Sequence, residues 1–133
     1  MGSAEQCVRE FIAAHSEWEA RANAREKPLT PGGAAFFSAV AQAEAEYDEL
    51  VSRLCAAAVV RQSVSYGDDP MHDPDRESIE GVSESADGAV VRTRYVGPHG
   101  FESEYEYHLV REAGGWRIAS LLYLDAGHGY ECL

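Results

Sequence analysis

The chain has 133 residues and a mass of 14.5 kDa, 45% of it hydrophobic and 26% charged. That length fits one domain with a single core, and that composition excludes a disordered chain. Eleven Lys and Arg against 23 Asp and Glu leave a formal charge of −12, which argues against nucleic acid or an anionic membrane as a partner, whereas a basic protein partner fits the sign.

The three cysteines, Cys7, Cys55 and Cys132, are odd in number and widely scattered, so they read as reduced thiols in a cytoplasmic protein rather than as a disulfide framework. The N-terminal residues have no basic region and no apolar run, which excludes a signal peptide there, and Gln6 stands where myristoylation needs Ser or Thr. No stretch approaches the roughly 18 apolar residues of a membrane span.

In chain order, residues 3–58 read as helical. Ser3 followed by Gln6 has the form of a capping box. Val8, Phe11, Ile12, His15, Trp18 and Ala22 then recur at helical spacing as one apolar stripe, with Glu10, Glu17, Arg21 and Arg25 toward water. Lys27-Pro28 ends this helix. A second is expected to begin at Thr30 as cap with Pro31 in its first turn, its start weakened by Gly32 and Gly33. Phe36, Phe37, Val40, Tyr47, Leu50, Val51 and Leu54 carry its pattern, broken only by Glu44.

Residues 59–133 read as a loop and an antiparallel sheet. Ala86-Asp87-Gly88 separates Ile79–Glu84 from Ala89–Val96 and predicts a hairpin. After the turn Gly97-Pro98-His99-Gly100, Phe101, Ser103, Tyr105, Tyr107 and Leu109 alternate with polar residues, the mark of a half-buried strand. Ala113-Gly114-Gly115 leads into Trp116–Leu124, apolar on both faces and therefore expected to be the most covered strand. Two helices followed by hairpin strands define an α+β single domain over 1–133, its helices packed on one face of a curved antiparallel sheet.

Several segments resemble a known family. They are Phe11-Ile12…Glu17-Trp18-Glu19 on the first helix, Ser65-Tyr66-Gly67-Asp68 ahead of Asp73-Pro74, the strand Tyr105–Arg111, and the closing Gly115-Trp116-Arg117-Ile118. Together with the element order they resemble the nuclear transport factor 2-like (cystatin-like) fold, and within it the bacterial immunity proteins that protect cells against polymorphic toxins. The resemblance covers nearly the whole chain. It implies a cone of helices on sheet, a cognate toxin domain as protein partner, and a homodimer through the open sheet face as a possible assembly. The same fold is similar to that of small dehydratases and isomerases, which use an Asp–His pair in the cone for proton transfer.

Residues able to serve such chemistry are few. His15 lies on the apolar stripe, where a satisfied core histidine is the commoner reading. His108 falls on the Glu face of its strand, Asp125 begins a turn, and His72-Asp73 reads as part of a solvated, Pro-bounded loop. His128 and Cys132 lack the second pair that zinc requires. No glycine loop cradles phosphate and no nucleophile elbow is present. No catalytic residue, metal ligand or cofactor is therefore assigned.

The distinctive local feature is charge. Between Tyr66 and Gly88 lie Asp68, Asp69, Asp73, Asp75, Glu77, Glu80, Glu84 and Asp87, eight acids against Arg76 alone. A solvated loop and edge strand explain such a run without function. The functional reading is a docking surface for a basic toxin domain, centred on Asp68, Asp69, Asp73, Asp75 and Glu77 with Tyr66 as aromatic anchor. Glu102, Glu104 and Glu106 form the competing acidic surface. The expectation is a non-enzymatic, immunity-type inhibitor; the alternative is a small-molecule enzyme or binding protein using the cone cavity.

Overall fold

The computed structural model describes residues 2–133. Two helices, α1 (Ala4–Glu26) and α2 (Ala34–Leu54), precede five strands: β1 (Glu77–Glu84), β2 (Gly88–Val96), β3 (Glu102–Glu112), β4 (Gly115–Asp125) and β5 (His128–Glu131). The strands pair antiparallel in sequence order, as an α+β protein of successive hairpins. Helix α1 lies against β1, β2 and β4, and α2 packs along α1.

Helix α1 starts where its cap dictates, with Ser3 Oγ accepting the Gln6 N–H at 3.1 Å. The whole expected stripe is buried, and Ala4, Cys7 and Glu19 join it. Helix α2 begins three residues later than expected, with Gly33 in place of Thr30 as its cap. Gly32 takes a left-handed φ of 81°, the Gly33 N–H closes a turn on the Thr30 carbonyl, and Gly33 supplies a cap without a side chain. Its buried face is Ala39, Ala43, Tyr47, Leu50, Val51 and Leu54, while Phe37 is left 62% exposed. The helical region stops at Leu54. Cys55 pairs instead with Ile118 of β4, tying the end of α2 to the sheet.

The inward faces of the strands supply Ala89, Val91, Thr93, Tyr95, Tyr105, Tyr107, Leu109, Trp116, Ile118 and Leu121. Two bulges break the two-residue period. In β1 the register passes from Ile79 to Gly81, and in β4 it skips Ala119 between Ile118 and Ser120. A bulge shifts every later side chain to the opposite face. Trp116, Ile118 and Leu121 therefore all point inward, although strict alternation separates Leu121 from the other two. Phe101, expected on the buried face, precedes β3 and is 80% exposed.

Strand β5 is an addition to the expected set. It follows a tight turn in which Ala126 and Gly127 both have positive φ, 51° and 83°. That is the geometry of a two-residue hairpin turn whose preferred first residue is Asn or Asp. Ala113-Gly114 repeats it between β3 and β4.

Candidate functional site

Helix α2 ends at Leu54 and β1 starts at Glu77, leaving a long connection without regular structure. Such connections are uncommon in small domains and usually carry function. This one holds Asp68, Asp69, Asp73 and Asp75, half of the acidic run singled out above.

Beneath it sits a polar cluster inside the core. His72 has no exposed surface, a correction to its reading as part of a solvated turn. Its Nδ1 donates to Glu77 Oε1 at 2.6 Å, because a carboxylate only accepts. Glu77 Oε2 accepts from Tyr107 Oη at 2.7 Å and from Thr93 Oγ1 at 2.6 Å. Glu77 is only 5% exposed, so it is corrected from a docking residue to a core carboxylate. It stands at the start of β1 on the same face as Ile79, and that parity was the signal for its burial. Burial and the adjacent Glu77 charge push the Tyr107 phenol well above its ordinary value.

A ring of aromatics closes round this cluster. His15 and His72 stand edge to face with centroids 4.8 Å apart, and Phe11, Tyr105 and Tyr107 also contact His72. Burial, reinforced by the neighbouring His72, holds His15 well below the ordinary histidine range and so neutral. His72 Nε2 and His15 Nδ1 are buried without a hydrogen-bond partner among the described residues. A cavity of about 190 Å³ lies beside His15, bounded by Trp18, Tyr47, Met71, Cys132 and the 62–65 segment.

Glu19, one turn beyond His15, was not singled out in the sequence as a site residue. Its place in the progression Val8, Ile12, His15, Glu19, Ala22 was the available sign, a carboxylate on the buried stripe. Its oxygens accept two loop amides, Gly67 N–H at 3.2 Å and Met71 N–H at 3.0 Å. Burial raises its pKa, and those two hydrogen bonds oppose the rise.

The remaining acids of the loop lie toward solvent. Asp68 accepts from Asn23 Nδ2 and Lys27 Nζ, both at 2.9 Å, and these contacts lower its pKa. Asp73 caps its own turn by accepting the Asp75 N–H at 2.9 Å. Asp69 and Asp75 are exposed. Tyr66 is half-buried, edge-on to Trp18 at 5.8 Å, and burial pushes its phenol up to about 12. Of the loop residues expected to dock, Asp68, Asp69 and Asp75 are exposed and Tyr66 and Asp73 half-buried, with Glu77 separated from them inside.

The competing acids lie on the sheet face away from the helices and are matched by arginines. Arg94 bonds Glu80, Glu102 and Glu104, and Arg92 lies 2.8 Å from Glu106. His108 Nε2 is 2.7 Å from Glu106 on the same face. Among the described residues no three His, Cys, Asp or Glu side chains are grouped to hold a metal ion, and no helix is long and apolar enough to cross a membrane. The three thiols are free, and burial raises Cys7 to about 11 and Cys55 and Cys132 to about 12.

The chain matches no family model, no curated protein and no solved structure.

Proposed function

We propose that the protein is an immunity-type inhibitor, which binds a basic toxin domain through the acidic loop 66–75 and blocks it by covering its surface. The observation that carries this reading is the contrast between an exposed acidic loop and buried proton-transfer groups. The core imidazoles and carboxylates, His15, His72, Glu19 and Glu77, are buried, the two imidazoles among packed aromatics, and of the four only His15 borders a cavity. General acid–base catalysis needs such groups within reach of a substrate. The acidic excess, by contrast, is at the surface, where it can steer a cationic partner.

The loop is favoured over the outer sheet face for an electrostatic reason. Glu80, Glu102, Glu104 and Glu106 already have arginine partners. Docking there replaces ion pairs that exist, whereas Asp69 and Asp75 stand exposed on the loop. The resemblance to immunity proteins of the nuclear transport factor 2-like fold supports the same assignment, with the toxin as cognate partner and the cytoplasm as the place of action.

The deciding experiment is co-purification with the C-terminal domain encoded by the adjacent gene. A stable one-to-one complex that abolishes that domain's toxicity is the expected result, and absence of any complex removes the proposal. A second reading, a small-molecule binding protein, rests on the cavity beside His15 and its unpartnered Nδ1. Displacement of resonances confined to His15, Trp18 and Tyr47 by a small metabolite would favour it.

A further inference from the structure

We infer that Glu19, which is too deeply buried to touch a partner, is the positioning residue that fixes the conformation in which the acidic loop is presented. The inference rests on the docking reading above and assigns it a specific internal anchor.

Two residues of α1 and the residue that caps its C-terminus, spaced four apart, grip the loop. Glu19 accepts the amides of Gly67 and Met71, Asn23 donates to Asp68, and Lys27 donates to Asp68. Residues four apart share a helix face, so these side chains form a single ladder along the last turns of α1. The two amides held by Glu19 bracket Asp68, Asp69 and Pro70, the projecting part of the loop.

The four contacts differ in kind. Lys27 and Asp68 are exposed, and an exposed pair holds little. Glu19 is only 3% exposed, and its two hydrogen bonds are formed away from competing water. Its nearest basic neighbour, His15, has Nδ1 at 3.8 Å and is held neutral by burial. The carboxylate is therefore compensated chiefly by the loop amides it binds. Beyond them, Tyr105 Oη donates to the Met71 carbonyl at 3.4 Å, and the adjoining His72 is locked to Glu77. The loop is thus built in one conformation before any partner arrives, and a preordered loop binds without the entropy cost of ordering.

The test compares Glu19→Gln with wild type by amide hydrogen exchange and by titration with the toxin domain encoded by the adjacent gene. The substitution keeps the side chain's shape but turns one accepting oxygen into a donor facing an N–H. Exchange at Gly67 and Met71 should rise about tenfold or more while Tyr107 and Ile118 stay unchanged, and affinity should fall about tenfold. Glu17→Gln, on the water face of α1, should change neither. Faster exchange with unaltered affinity overturns the positioning role, and so does unaltered exchange. Wild-type protein supplies an arm that needs no variant to fold: if its Gly67 and Met71 amides exchange as fast as a free peptide, the anchor does not exist. The docking reading is tested separately by Asp69→Lys with Asp75→Lys. If that variant binds within about threefold of wild type, the loop is not the interface, whatever Glu19 does. If it weakens binding while Glu19→Gln does not, the interface stands and the anchor fails.

Discussion

His72 Nδ1 lies 2.6 Å from Glu77 Oε1, with neither side chain reaching solvent. The pair fastens the end of the acidic loop to the first strand. Because Glu77 also accepts from Thr93 and Tyr107, its removal leaves three buried donors without their acceptor. Glu77→Ala should therefore cost about 3–5 kcal/mol of stability, the usual penalty for breaking a buried charged network. His72→Ala combined with Glu77→Ala should cost clearly less than the sum of the two, since they break one network. Urea unfolding of the three variants decides it; a Glu77→Ala loss under about 1 kcal/mol would show the cluster is open to water.

The imidazole of His15 makes the fold sensitive to acid. Its pKa is held well below the ordinary 6.5, first by burial and then by His72. The folded protein keeps it neutral while the unfolded chain takes up a proton below about pH 6.5. Stability is therefore full above that pH and declines as pH falls through it toward the folded value. Glu19 acts in the opposite sense. Its raised pKa means that the strain of its buried charge is relieved as pH falls through that value toward the ordinary 4.5. His15→Phe keeps an aromatic ring among Phe11, Trp18 and Tyr47 and removes no hydrogen bond of Nδ1. Its unfolding free energy should vary less than wild type between about pH 7 and about pH 5.5. Equal slopes in that interval would show that His15 ionises in the folded protein.

Trp116 packs in the core near Cys7 of α1, whose Sγ donates to the Trp116 carbonyl at 3.5 Å, while Arg111 covers its ring at 4.2 Å. Trp116→Ala should cost about 3–5 kcal/mol, as for other buried aromatics. A melting temperature within a few degrees of wild type would contradict its place in the core.

Association with a basic partner should carry the signature of steering. The on-rate should fall steeply with added salt while the off-rate changes little. Single exposed acids should each matter modestly, about 0–1 kcal/mol. Asp68→Lys, Asp69→Lys and Asp73→Lys combined should weaken binding well beyond threefold. Part of that loss will come through the loop itself, since Asp68 holds Asn23 and Lys27 and Asp73 caps a turn. Asp69→Lys with Asp75→Lys isolates the surface contribution. Stopped-flow rates at low and high salt provide the measurement, and a salt-independent on-rate would remove steering from the account.

Much of this architecture can be read from local pattern, and the failures are instructive. The α1 stripe, the Ser3 cap and the first two hairpins follow from interactions between residues close in the chain, which sequence displays directly. The α2 start was misplaced because Thr30-Pro31 satisfies the capping rules while Gly32 turns the chain out of helical geometry. Strand β5 was missed because it is four residues long and its turn has Ala where Asn or Asp usually stands. Of the acidic run, charge and exposure together were legible for Asp68, Asp69, Asp75, Glu80, Glu84 and Asp87.

By itself the sequence determined an acidic α+β domain, its two amphipathic helices and the hairpin order of its principal strands, since each depends on periodicity and turn chemistry within a few residues. Only the tertiary structure decided which acids are inside. His72 has no sequence neighbour that marks it as buried; it is buried because β1, β3 and α1 converge on it with Glu77, Tyr107 and Phe11. The β4 bulge likewise arises in pairing with β3, and it alone brings Leu121 to the face of Trp116. Glu19 sits on a stripe that the sequence displayed, but its partners are amides of a loop nearly fifty residues away. Backbone amides are common to almost every residue, so no local pattern distinguishes the two that Glu19 holds; chain folding alone brings them within reach.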